Sequence, residues 1–127
     1  VAHGYFERVS AGIGTAIEAF SHELKKGNLV KASEVLARSE SYAKTNADYA
    51  GFQGHLAQRQ GDGASASQHY RKALAISPQD GRWWFGLGEA LTSTGDKANA
   101  TLAYQRALSS GNLPPTLADL ATQRSSQ

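Results

Sequence analysis

The sequence predicts an all-α solenoid of about three helix pairs closed by a C-terminal capping helix, and three observations carry that prediction. The stretch GDGASASQHYRKAL at 61–74 returns 34 residues later as GDKANATLAYQRAL at 95–108. Apolar residues recur at three- and four-residue spacing on both sides of a periodic glycine, which is the spacing of a buried helix stripe and not of a strand. The chain has 127 residues and no cysteine, so it reads as one domain held by packing alone, without disulfides or thiol chemistry.

In register the repeats give units at 13–46, 47–80 and 81–114, preceded by an N-terminal extension at 1–12 and followed by a capping helix and tail at 115–127. Gly27, Gly61 and Gly95 share one position, as do Ala32, Ala66 and Ala100; Leu36, Tyr70 and Tyr104; and Ser39, Ala73 and Ala107. The first unit is degenerate: Phe20 and Glu23 interrupt its first helix, while Gly27 and Asn28 keep the hinge. In the second and third units Gly61 and Gly95 end one helix in a left-handed conformation, and Asp62 and Asp96 cap the next. Pro78, with Asp80 close behind, ends the second unit and restarts the chain as a helix. In the third unit Trp84, Leu87, Gly88 and Leu91 form one apolar stripe, and Ala100, Ala103, Tyr104, Ala107 and Leu108 form the other. Gly88 and Ala100 let the two helices approach closely, and Tyr104 covers the seam. Whether Trp83 is exposed or folded under the next helix is left open. Pro114 and Pro115 open a last helix to about Arg124, whose strip of Leu117, Leu120 and Ala121 covers the end of the stack.

Thirteen Lys and Arg against eleven Asp and Glu leave a charge of +2. The cations are scattered, which argues against a nucleic-acid binder. No run of about 18 apolar residues is present, so no membrane span is expected. A start at Val1 with no methionine anywhere suggests a processed or excised piece from which an anchor or signal has been cut. Among His3, His22, His55 and His69 no two stand at i, i+4, so neither a metal nor another cofactor is expected. Glu18, Glu23, Glu34 and Glu40 are read as solvated on polar helix faces, and so is His69. GLGEAL at 86–91 lacks the third glycine and the preceding strand of a dinucleotide loop, and no serine sits in a nucleophile elbow. Asn99-Ala100-Thr101 falls inside a helix, where a glycosylation match is accidental. The chain is therefore expected not to be an enzyme.

These residues resemble the tetratricopeptide repeat family. The third unit supplies Trp84, Leu87, Gly88, Leu91, Gly95, Ala100, Tyr104 and Ala107 and departs at Asn112, where proline is usual. The second supplies Gly54, Ala57, Gly61, Ala66, Tyr70, Ala73 and Pro78, with Ala50 and Gln53 as departures. The resemblance implies a right-handed superhelix whose first helices line an inner groove that receives a segment of a partner protein. Carried over, the inward positions are Gly14, Ile17, Glu18, Ser21, Leu24 and Lys25; then Asp48, Gly51, Phe52, His55, Gln58 and Arg59; then Arg82, Phe85, Gly86, Glu89, Thr92 and Ser93. Of these, Phe52, His55, Arg59, Arg82, Phe85 and Glu89 are the expected binding residues, with the two rings as anchors. The other reading is that Phe52 and Phe85 lean sideways onto the next helix. The positions of a chaperone carboxylate clamp hold Ile17, Ser21, Phe52, Arg82 and Gly86, and only Arg82 is chemically similar, so no such clamp is expected.

A narrower resemblance lies in GRWWFGLGEAL and AYQRALSSGNLPP, which are similar to the C-terminal repeat region of the protein N family of mannose-sensitive haemagglutinin (MSHA) type IV pilus biogenesis. It implies a bacterial periplasmic scaffold, membrane-anchored in the full-length protein, with pilus or secretion assembly components as partners. The alternatives are a general adaptor fragment, periplasmic or cytoplasmic, and a docking or regulatory appendage of an enzyme whose catalytic domain lies elsewhere. A homo-oligomer is a further expectation, because a degenerate first unit leaves an apolar face exposed.

Overall fold

The computed structural model describes residues 19–20, 22–38 and 46–126, and all regular structure among them is α-helical. Residues 22–25 are helical, followed by α1 (Leu29–Arg38), α2 (Ala47–Arg59), α3 (Gly63–Ile76), α4 (Gly81–Ser93), α5 (Lys97–Ser109) and α6 (Pro115–Ser125). The chain divides into two compact units, Val1–Thr45 and Asn46–Gln127.

Helix starts follow from local chemistry. Asn46, Asp62, Asp80 and Asp96 each accept a hydrogen bond from a backbone N–H in the first turn of the helix they precede, at 3.0 Å from Tyr49, 3.1 Å from Ser65, 3.0 Å from Arg82 and 3.3 Å from Asn99. α6 has no side-chain cap and begins instead on Pro115, whose missing N–H costs nothing there.

The hinges share one geometry. Gly61 and Gly95 sit at φ of +82° and +88°. This left-handed turn lets the Asp62 N–H donate back to Ala57 O and the Asp96 N–H to Leu91 O, both at 2.9 Å, so otherwise orphaned helix carbonyls are satisfied. In the first unit Asn28 N donates to Glu23 O at the same 2.9 Å. There Phe20, Ala32 and Leu36 are buried. The helical state of residues 22–25 and the burial of Phe20 correct the expectation that Phe20 and Glu23 interrupt that helix. Glu23 is also half-buried, with Oε2 shut off from water, and not solvated as its spacing suggested.

Within Asn46–Gln127 α2 packs on α3, α3 on α4, α4 on α5 and α5 on α6, and α2 also touches α4. The packing is aromatic ring on glycine. Tyr70 covers both Gly54 and Gly86, Tyr104 covers Gly88, and Trp83 covers Gly51. The rings of Tyr70 and Trp83 stack at 6.3 Å. A helix without side chains at these points lets a neighbouring ring lie against its backbone, which is the close packing that interiors require. Trp83, at 5% exposure, is thus the core tryptophan. Trp84, assigned to the core stripe from spacing, is only half-buried, and its indole N–H donates to Pro78 O at 2.9 Å.

Asn112 closes the third unit where the family pattern has proline. Its Oδ1 accepts from Gly81 N at 2.8 Å and its Nδ2 donates to Gln79 O at 2.7 Å. The turn after α5 is thereby tied to the start of α4. α6 buries Ala121, with Leu117 and Leu120 half-buried beside it.

Candidate functional site

α2 carries Phe52, His55 and Arg59, and α4 carries Arg82, Phe85 and Glu89. The structure gathers these six into three groups. In the first, the Arg82 guanidinium donates to Asp48 Oδ1 at 2.9 Å and to Asp80 Oδ2 at 2.7 Å, and its Cζ lies 4.5 Å from the Trp83 ring centroid. Its hydrogen bond to Asp80, with the nearby carboxylate charges, raises its pKa and keeps it charged. Phe52 meets the same Trp83 ring edge-on at 5.9 Å. Asp48 stands 34 residues before Arg82, so the repeat places the pair side by side on successive first helices.

The second group joins Phe85 and Glu89 to the capping helix. Phe85 packs edge-on against Tyr104 at 5.6 Å, and the Arg124 guanidinium lies 5.7 Å from the Phe85 centroid. The Tyr104 hydroxyl donates to Glu89 Oε1 at 2.8 Å, and Arg124 pairs with the same oxygen. Burial raises the Tyr104 pKa, while a hydrogen bond to Thr92 opposes the rise. From the sequence Asp48 was an inward position outside the six expected binding residues, and Arg124 was only the end of the last helix. The repeat period was a usable signal for Asp48; Arg124 had none, because the partner it reaches lies on another helix.

The third group is His55 and Arg59 on the exposed end of α2. Partial burial first, and then the Arg59 charge, lower the His55 pKa, so its ring is neutral near pH 7. Arg59 makes no ion pair among the described residues.

Phe52 and Phe85 are both half-buried with their inner edges on the core, so each ring leans sideways. Gly51 and Gly86, carried over as inward positions, are buried beneath Trp83 and Tyr70 and line nothing. His69, read as solvated, is half-buried with Nδ1 shielded and without a hydrogen-bond partner. Gly14, Ile17, Glu18 and Ser21, with His3, Ser39, Glu40 and the extension at 1–12, lie outside the described residues. Among the described residues no group of three or more metal-ligating side chains is found, and no helix is long and apolar enough to cross a membrane.

No curated protein matches the sequence. Three solved structures share the fold at low identity. The Sgt2 TPR domain from Aspergillus fumigatus superposes with a TM-score of 0.80 at 18% identity, over 89% of this chain and 76% of that one. The second TPR domain of human RPAP3, in complex with an HSP70 peptide, gives 0.78 at 13% identity, over 91% and 97%. PcrH, in complex with the chaperone binding region of PopD, gives 0.78 at 17% identity, over 92% and 88%. Residues 53–115 match the family model for the tetratricopeptide repeat. The segment 53–115 is thus similar to the tetratricopeptide repeat, and the chain shares the all-α fold of these three structures.

Proposed function

We propose that the chain is a non-catalytic protein-interaction module whose partner segment lies along the wall that α2 and α4 build. The observation that carries this reading is the half-buried Phe52 ring beside Arg82, both backed by the buried Trp83. A ring and a guanidinium held rigid from behind lose little freedom on binding, and such pairs dominate interface energetics. Phe85 and Glu89 sit against the capping helix through Arg124, so the segment enters at Phe52, His55 and Arg59. Arg59, with no ion pair among the described residues, favours a segment with an acidic residue after its apolar anchor. The RPAP3 domain and PcrH, both solved with bound peptide segments, support the reading by analogy of fold.

We assign the partner to type IV pilus or secretion assembly in the periplasm, on the strength of the motifs at 81–91 and 103–115. The test immobilises the protein and identifies by mass spectrometry what it retains from a membrane and periplasmic extract, beside a Phe52→Ala, Arg59→Glu variant. Pilus or secretion components held by the native protein and lost by the variant support the proposal. Equal retention by both sinks the groove. A groove-dependent partner from another system, or an enzyme, sinks the pilus assignment while leaving the groove intact.

A further inference from the structure

A cleft of about 570 Å³ lies between α3 and α5 and shares no residue with the wall described above. Its floor is Leu74 and Leu87, its side is the half-buried Trp84, and Leu102 protrudes into it at 58% exposure. Arg71 of α3 and Arg106 of α5 stand at its rim, and the lining contains no carboxylate. Neither guanidinium makes an ion pair among the described residues. Arg106 lies 5.4 Å from the Trp84 ring centroid, while the indole N–H is tied to Pro78 O, so the ring is locked in place.

Two guanidiniums with no carboxylate partner among the described residues stand over an apolar floor, one of them against the Trp84 ring. Burying them against an apolar partner alone would cost their desolvation, whereas a carboxylate matches the guanidinium fork with charge-assisted hydrogen bonds. The volume is that of a site that takes a few side chains. We propose that this cleft is a second docking site, and that its occupant is a segment of a partner protein carrying an aliphatic or aromatic side chain beside a carboxylate. A module with two sites that share no residue can hold two partners, or two parts of one, at once.

The experiment pans a phage-displayed library of random peptides on the whole chain and on an Arg71→Glu, Arg106→Glu variant, both checked for helicity by circular dichroism. The most enriched peptide is then synthesised and titrated by fluorescence anisotropy. The expected result is enrichment of peptides with an acidic residue next to Leu, Ile or Phe on the native chain. The selected peptide should bind the charge-reversed variant at least about tenfold more weakly, bind Leu102→Ser more weakly, and bind Phe52→Ala, Arg59→Glu as it binds the native chain. Enrichment of peptides without acidic residues, or of none, would overturn the proposal, as would equal affinity for native and charge-reversed chains. A concentration-dependent dimer that Leu102→Ser abolishes would also overturn it, because a second copy would then be the occupant.

Discussion

A single methyl group probes how the aromatic rings are seated. A Cβ on Gly86 would stand 2.4 Å from Tyr70 Cε1, and one on Gly88 would stand 2.7 Å from Tyr104 Cε1. Alanine gains about 1 kcal/mol of helix propensity over glycine, but displacing a packed ring costs about 1–3 kcal/mol. Tyr70 and Tyr104 are only 3% and 2% exposed, so neither ring can swing into solvent and the clash wins. Gly86→Ala and Gly88→Ala are each expected to lower the unfolding free energy, by up to about 2 kcal/mol net, in urea denaturation. An unchanged midpoint would mean that the rings move aside freely. The histidines make a second prediction. Burial first, then Arg59 for His55 and Lys72 for His69, lower both pKa values below the ordinary 6.5, while Asp62 pulls His69 the other way. The native state favours neutral rings, so below 6.5 the unfolded chain binds more protons and stability is lost as pH falls through the depressed values. The thermal midpoint should drop between about pH 7.5 and 5.5, and His55→Gln with His69→Gln should flatten that slope. A slope unchanged in the double variant would place the titration elsewhere.

At the scale of the element, the starts of α3, α4 and α5 were readable in the sequence because a cap and the N–H it meets lie two or three residues apart. Asp96→Ala should cost about 1 kcal/mol through the uncapped first turn of α5. Asn112 was visible only as a departure from the family pattern, since its partner Gly81 is 31 residues away in sequence. Asn112→Ala leaves the buried Gly81 N–H and the Gln79 carbonyl without their protein partners, and a loss of about 1–2 kcal/mol is expected in the same denaturation assay. Wild-type stability in that variant would show that water replaces the amide at no cost. The Glu89–Arg124 pair was equally invisible, because it depends on where α6 packs and not on any local pattern.

At the scale of the molecule, one contiguous core runs from Ala50 to Ala121 through Tyr70, Trp83, Leu87 and Tyr104. Because each helix pair contacts its neighbours in sequence, a solenoid segment with an intact core stands without the rest. A fragment of residues 46–127 should therefore keep its helical circular dichroism and melt in one cooperative transition. A broad, featureless melt would show that the preceding unit is needed for folding.

The sequence by itself determined the repeat of 34, the hinges at Gly61 and Gly95, the capping residues and the small positions Gly88 and Ala100, because each depends on contacts a few residues apart or on a period that copies them. Only the tertiary structure decided between Trp83 and Trp84. Neighbours on a helix point about 100° apart, and the apolar pattern admits either. Trp83 enters the core because Gly51 of the neighbouring helix leaves room for its ring, while Trp84 turns to the carbonyl of Pro78. Spacing sets the angle of a side chain about its own helix axis; what stands opposite is set by the packing of another helix.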